Sequence, residues 1–233
     1  MTPVFFGLTA FLFGLIVGSF LNVCIYRLPR GESLIYPPSH CPNCYQPIKA
    51  EDNIPVISWL TLGGRCRFCK TRISFIYPAV ELLTGLLFLV YYWRLLGFEW
   101  SPTGSGIALY VIHIAFLSAL LVSTVIDFRF FIIPDEITLP GTFVAVIASL
   151  ALPAMHADRI IPSYPHLNSF FAAIIGALTG AGIIYGIGAV GKLLIPKEKL
   201  AFGGEAMGLG DVKLMAMIGA VLGWQLTVFV LVF

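Results

Sequence analysis

Six apolar runs, at about 3–25, 79–98, 105–126, 137–155, 167–191 and 214–233, divide the chain and restrict what it can fold into more than any other feature. A helix needs roughly 20 residues to cross a ~30 Å hydrocarbon layer, and these runs have that length. Five of them hold no Asp, Glu, Lys or Arg; the second has Glu81 near its start and Arg94 near its end, where a long side chain reaches the interface. Lipid offers the backbone no hydrogen bonds, so such runs must be helices. The expected fold is therefore an all-α polytopic membrane protein of about six transmembrane helices embedded in a lipid bilayer. Composition agrees: 58% of the 233 residues are hydrophobic and 11% charged, against about 25% charged in soluble domains. A water-facing surface is excluded on that ground, and nothing in the net charge of +2 implies a nucleic-acid partner.

The polar connections set the orientation. No basic residue precedes the first run, while Arg27 and Arg30 follow it, so the N-terminus is expected outside, with no cleavable signal peptide. Alternation then gives twelve of the fourteen Lys and Arg residues to the cytoplasmic side: seven in the 26–78 loop, Arg129 in the 127–136 turn, and four in the 192–213 loop. Arg94 and Arg159 remain outside. The last run reaches Phe233 without closing polar residues, so this span either stops at the far interface or is cut short.

Four of the five cysteines lie in the first cytoplasmic loop, as Cys41-Pro-Asn-Cys44 and Cys66-Arg-Phe-Cys69. Two thiolates separated by two residues can bind one metal ion together, and a second such knuckle completes a tetrahedron. The pattern predicts a small zinc-ribbon-like domain with a structural, closed four-cysteine site. A redox role for the pairs is the weaker alternative, because a reducing compartment disfavours standing disulfides. Cys24, inside the first run, reads as a small buried apolar residue.

Acidic residues at membrane depth are costly and ask for a reason. Asp127 directly follows the uncharged run 106–126, and Asp211 closes Gly208-Leu209-Gly210-Asp211 just before the last run. The topology puts both at the same face. Brought together there, two carboxylates could share one proton, one drawing a proton from water while the other donates to a scissile carbonyl. The glycines ahead of Asp211 would let the backbone pass close to a substrate or a neighbouring helix. Plainer readings stay open: Asp211 as a helix N-cap, Asp127 as a partner of Arg129, and Asp135 as the N-cap of the fourth span. His113 reads as a hydrogen-bonded helix contact, and Glu205 and Lys213 as interfacial charges.

These residues resemble, in kind and order, the type IV prepilin peptidase family of bifunctional leader peptidases and N-methyltransferases. Gly18-Ser19-Phe20-Leu21-Asn22-Val23 and Tyr26-Arg27-Leu28-Pro29 are similar to the family's opening. The two cysteine pairs, with Asp52-Asn53-Ile54-Pro55, Ser58-Trp59-Leu60 and Tyr77-Pro78, resemble its cytoplasmic domain. Asp127, Pro134-Asp135 and Thr138-Leu139-Pro140 resemble the first catalytic region, and Gly208–Leu214 the second. The Gly-x-Gly-Asp motif is shared with the wider presenilin-like class.

The resemblance implies that Asp127 and Asp211 are the catalytic pair, with Asp135 beside the site but outside the pair. It implies a prepilin or pseudopilin substrate, cut after a glycine on the cytoplasmic side of its apolar segment. It also implies methylation of the new N-terminal residue from S-adenosylmethionine, a function the family assigns to the region 26–78, although no glycine-rich Rossmann loop occurs here. The domains are then 1–25 as the first transmembrane helix, 26–78 as the zinc-binding, methyltransferase-associated domain, and 79–233 as the membrane-embedded peptidase domain. Family members usually continue past the last run seen here. An ion-coupled transporter would instead carry charges near mid-span and show inverted repeats, and a zinc-ribbon scaffold would leave the two interfacial aspartates without a purpose.

Overall fold

The computed structural model describes residues 3–96, 103–156, 163–194 and 207–232. Among the described residues, seven α-helices carry the fold: α1 (Pro3–Arg27), α2 (Ile57–Thr61), α3 (Ile76–Leu95), α4 (Gly104–Phe130), α5 (Asp135–Ala151), α6 (Pro165–Leu194) and α7 (Leu209–Val232). Among the described residues there is no strand, only two isolated bridges in the loop after α1. Each apolar run has become a helix. Five (α1, α3, α4, α6 and α7) are long and apolar enough to cross a membrane. The fourth run, expected over 137–155, forms the 17-residue helix α5, about 25 Å long at 1.5 Å per residue. Pro134 precedes this helix and Pro153 opens the short 3-10 turn after it, so its length is bounded at both ends. The chain divides into two compact units, Met1–Phe130 and Phe131–Phe233.

In the first unit, α1 lies on α3 through glycines. A Cβ at Gly14 would stand 2.8 Å from the Gly85 Cα and 2.9 Å from the Phe88 Cβ, and one at Gly18 would stand 2.7 Å from the Glu81 Cα. Small residues four apart let two apolar helices approach closely where no hydrophobic drive separates protein from lipid. The opposite side of α1 leaves Phe5, Ile16 and Phe20 exposed, as a lipid-facing surface must. Polar groups turn inward: the Tyr110 hydroxyl of α4 donates to the Phe88 carbonyl at 3.1 Å, and Thr84 on α3 donates to the Val80 carbonyl.

The second unit repeats the device more severely. Cβ atoms added at Gly176 or Gly180 of α6 would collide with the carbonyl oxygens of Gly219 and Met215 on α7, and one at Gly219 would meet the Gly176 carbonyl. Backbone therefore packs on backbone. Helix α7 is interrupted at Gly223, whose φ of 77° and ψ of 168° suit glycine alone. A break of this kind takes carbonyls of the preceding turn out of the helical ladder. The buried His156 ring answers it: Nε2 lies 3.1 Å from the Ala220 carbonyl oxygen, to which it must donate, and Nδ1 lies 2.8 Å from the Ser169 hydroxyl. Met217 fills the contact with α5, over Gly141.

Candidate functional site

The loop between α1 and α3 is built from two copies of one turn. The Cys41 N–H donates to the Gln46 carbonyl and the Cys66 N–H to the Thr71 carbonyl; Tyr45 and Lys70 donate back to Cys41 and Cys66. Ile48 bonds to Ser39 as Ile73 bonds to Gly64. Tyr45 and Lys70 both hold a left-handed backbone, with φ of 58° and 59°. Every partner is offset by the same interval as Cys41 from Cys66, so the loop is an internal duplication of a metal knuckle. The equal spacing within the two cysteine pairs is the sequence signal of this repeat, and reading it for ligands alone misses the duplication.

The four Sγ atoms lie within 4.8 Å of one another. Cys41 and Cys69 are 3.8 Å apart and Cys44 and Cys66 4.0 Å. Four sulfurs at roughly 2.3 Å from one zinc ion would stand about 3.8 Å apart, so the cluster fits a metal tetrahedron without rearrangement. None of the cysteines forms a disulfide. The thiols are polarised against each other. Thr71, with help from Asn43, draws the Cys69 thiol down to about 5. Cys44 goes up to about 11: the Gln46 amide pulls it down, but desolvation and the three neighbouring thiols outweigh this.

The rest of the loop is seated on the helix ends by polar contacts. The Arg27 guanidinium, buried, donates to the Ser33 and Pro37 carbonyls at 2.8 and 2.6 Å. The Asn22 amide donates to the Tyr77 carbonyl at 3.0 Å. Trp59 donates to the Ile73 carbonyl at 3.2 Å and packs edge-on against Phe75. The Val56 N–H donates to the Glu81 carboxylate at 2.7 Å, and Val56 is held at φ 63°, a costly conformation for a β-branched residue. Arg67 grips both carboxylate oxygens of Asp52 at 2.7 and 2.6 Å, which holds Asp52 below the usual carboxylate range. Beneath the loop, between the knuckles and the ends of α1 and α3, is a cavity of about 420 Å3 whose walls include Asn22, Tyr26, Trp59, Tyr77 and Glu81.

Asp127 sits exposed in the last turn of α4, in the first unit. Its side chain forms no ion pair with Arg129 among the described residues; residues two apart on a helix do not face each other. Asp211 is half-buried in the first turn of α7, in the second unit. A Cβ at Gly208 would come within 3.1 Å of its Oδ2, and one at Gly210 within 3.0 Å of the Ile133 Cβ, so both glycines serve close approaches.

The expectation that Asp135 caps α5 is overturned. Pro134 occupies the cap position, and Asp135 is the first helical residue, with its carboxylate on the Lys213 ammonium at 2.6 and 2.8 Å. Lys213, read as an interfacial charge, is the partner in this ion pair. His113 bonds to the Leu109 carbonyl at 2.7 Å and stacks on Tyr91, as expected of a helix contact. Cys24 is buried. Glu205 lies outside the described residues.

Comparison with known proteins covers nearly the whole chain. Residues 12–95 match the bacterial peptidase A24 N-terminal domain, and residues 114–233 match the type IV leader peptidase family. A prepilin leader peptidase/N-methyltransferase of Pectobacterium carotovorum subsp. carotovorum is 40% identical, across 91% of this chain and 73% of that protein. One from Klebsiella pneumoniae is 37% identical, across 96% and 88%. A protein of the same name from Neisseria gonorrhoeae is 37% identical, across 90% and 72%. No solved structure matches. With five apolar helices of spanning length and these matches along its sequence, the chain belongs to the type IV leader peptidase family and is a multi-pass protein of the inner membrane.

Proposed function

We propose that this protein cleaves the leader peptide of type IV prepilins or pseudopilins after a glycine, at the cytoplasmic face of the inner membrane, and N-methylates the residue so exposed. The observation that carries the reading is the run of relatives, 35–40% identical over most of the chain, that bear both activities in their name. In this reading 79–233 is the peptidase domain, 26–78 belongs to methyl transfer, and the N-terminus lies outside.

Asp127 and Asp211 are the proposed catalytic pair. One ends a membrane helix and the other begins one, which suits a substrate whose apolar helix lies in the bilayer and whose basic leader stays in the cytoplasm. Two carboxylates sharing one proton divide the labour: the ionised partner takes a proton from water as it attacks, and the protonated partner donates to the carbonyl oxygen. No covalent intermediate forms. The peptide must unwind locally, since a helical carbonyl is already occupied by its own hydrogen bond. Cys41, Cys44, Cys66 and Cys69 would hold zinc in a closed site, leaving no open position for catalysis, so the metal's contribution there is to hold the two knuckles together. S-adenosylmethionine would supply the methyl group.

The test is to incubate detergent-solubilised protein with a prepilin, with and without S-adenosylmethionine, and to follow cleavage and methylation separately by mass spectrometry. Asp127→Ala and Asp211→Ala should each reduce cleavage by more than about a thousandfold, on the scale of losing an essential acid or base, while the protein still inserts. Full activity in either variant would remove that residue from the mechanism.

A further inference from the structure

We infer that the cavity under the cysteine loop is where the methyl donor binds, with Glu81 facing its cationic sulfonium–ammonium end. The inference rests on the methyl-transfer half of the function proposed above and adds a site to it. Its volume of about 420 Å3 falls within the range of about 300–1,000 Å3 that pockets for drug-sized ligands occupy.

The chemistry of the walls narrows the ligand. Glu81 is only 8% exposed and lines the cavity, near the start of the largely apolar helix α3. Its carboxylate accepts from the Val56 N–H and the Ser19 hydroxyl, yet among the described residues no Lys or Arg pairs with it. A carboxylate offers about four acceptor positions, so two donors leave it room for a ligand. Arginines share the wall: Arg27 donates to the Ser33 and Pro37 carbonyls, Arg67 is held by Asp52, and Arg30, Arg72 and Arg129 stand at the same cavity without pairing with Glu81. The buried acid is therefore the place for the cationic end of a ligand that also carries an anionic group. The aromatic rings of Tyr26, Trp59 and Tyr77 line the same space, and ring faces attract cations and stack on planar heterocycles.

S-adenosylmethionine presents these features together: a sulfonium, an ammonium and an adenine. Its carboxylate has a counterpart at the wall in Arg30, whose guanidinium lies 4.0 Å from the centre of the Tyr26 ring. When bound, the donor supplies an electrophilic methyl group: the amine lone pair forms the new N–C bond as the C–S bond breaks, a neutral thioether leaves, and the ammonium product gives up a proton to water. The protein's part is to bind that cation against Glu81, at the end of the bilayer where the proposed cleavage exposes the amine.

The test reads binding directly. Purified full-length protein is titrated calorimetrically with S-adenosylmethionine and with S-adenosylhomocysteine, the neutral thioether. The donor labelled at its methyl group is then photocrosslinked and the label mapped. Glu81→Gln keeps an acceptor for Val56 but removes the charge. It should weaken S-adenosylmethionine about tenfold and S-adenosylhomocysteine distinctly less, because only the former carries charge on sulfur. Ile48→Trp, at a half-exposed position of the wall, should weaken both by obstruction. Metal content of each variant reports that the loop is folded, and the Ile48→Trp result stands alone if Glu81→Gln fails to fold. Label within 19–30 or 48–81 supports the site. Unchanged affinity in both variants, or label mapped elsewhere on a protein that binds the donor, overturns the site and leaves methyl transfer standing. A wild-type protein that cleaves prepilin but binds no donor overturns both.

Discussion

The loop 26–78 and the helix pair α6–α7 are held together by opposite means. The loop is nearly without apolar core: Ile35, Tyr36, Tyr45, Ile57, Leu60 and Phe68 are all exposed. What fixes it are four sulfurs, a duplicated turn, and polar contacts from Arg27, Asn22 and Glu81. The helix pair has almost no side chain at its closest contact, where Gly176, Gly180 and Gly219 bring carbonyls against the neighbouring backbone. One region depends on ligands that can be removed, the other on the absence of atoms. In water a small domain short of apolar surface needs a metal to fold. In lipid, packing at van der Waals distance replaces the hydrophobic drive.

Removing the metal should therefore have the largest effect and stay confined to the loop. Zinc-finger peptides gain roughly 10–16 kcal/mol from their metal, far more than a loop of this composition can recover. Chelation or Cys66→Ser is expected to abolish loop protection in hydrogen exchange and to remove methylation before cleavage. Equal and complete loss of both activities would break the proposed separation.

Next in size are the glycines. Gly176→Val or Gly219→Val drives a branched side chain into a backbone carbonyl, an obstacle that cannot rotate aside; a destabilisation of about 3 kcal/mol or more is expected. Gly182 and Gly186, on the same helix, would place an added Cβ in open space. Their alanine variants should be neutral or slightly stabilising. Thermal unfolding in detergent distinguishes the sets, and metal content should be unchanged in all four.

A smaller effect belongs to the Asp135–Lys213 pair, which ties the first turn of α5 to that of α7. Both side chains are substantially exposed, so Lys213→Met should cost less than about 1 kcal/mol. A double-mutant cycle with Asp135→Asn measures the coupling, and a coupling of several kcal/mol would mean the pair is shielded by lipid.

How much of this could be read in the sequence follows from the range of each interaction. Helical spans depend on composition and the four-cysteine cluster on local spacing, and both emerged from the residues alone. The short length of α5 was also marked locally, by Pro134 and Pro153, but the apolar run masked it. The role of Asp135 was not legible, because its partner lies far along the chain and its neighbours look like those of a helix cap. The glycine contacts had a signal in Gly14-x-x-x-Gly18 and Gly176-x-x-x-Gly180, which periodicity of apolar residues does not detect. In the sequence Glu81 reads as a charge near a span end; its bond to a strained Val56 exists only in the folded loop.

The least effect should come from the Asp52–Arg67 pair, which sharpens the contrast by testing the loop's polar contacts apart from its metal. The Arg67 guanidinium lowers Asp52 relative to its unfolded value near 3.9. A carboxyl depressed in the folded state stabilises that state fully above the unfolded value, and the contribution fades as pH falls through the lower folded value. Between pH 5 and 8 the pair should thus contribute a constant amount, lost only below about pH 4. Acid also releases metal from cysteine sites, so wild type and Asp52→Asn are compared by hydrogen exchange across 26–78 only at pH values where metal content shows both still loaded. The variant should be less protected at pH 6, and the gap should narrow as pH falls toward the lowest value at which both retain metal. A gap that persists unchanged into acid would mean that the contact of Arg67 with the loop, rather than its charge, is what Asp52 supports.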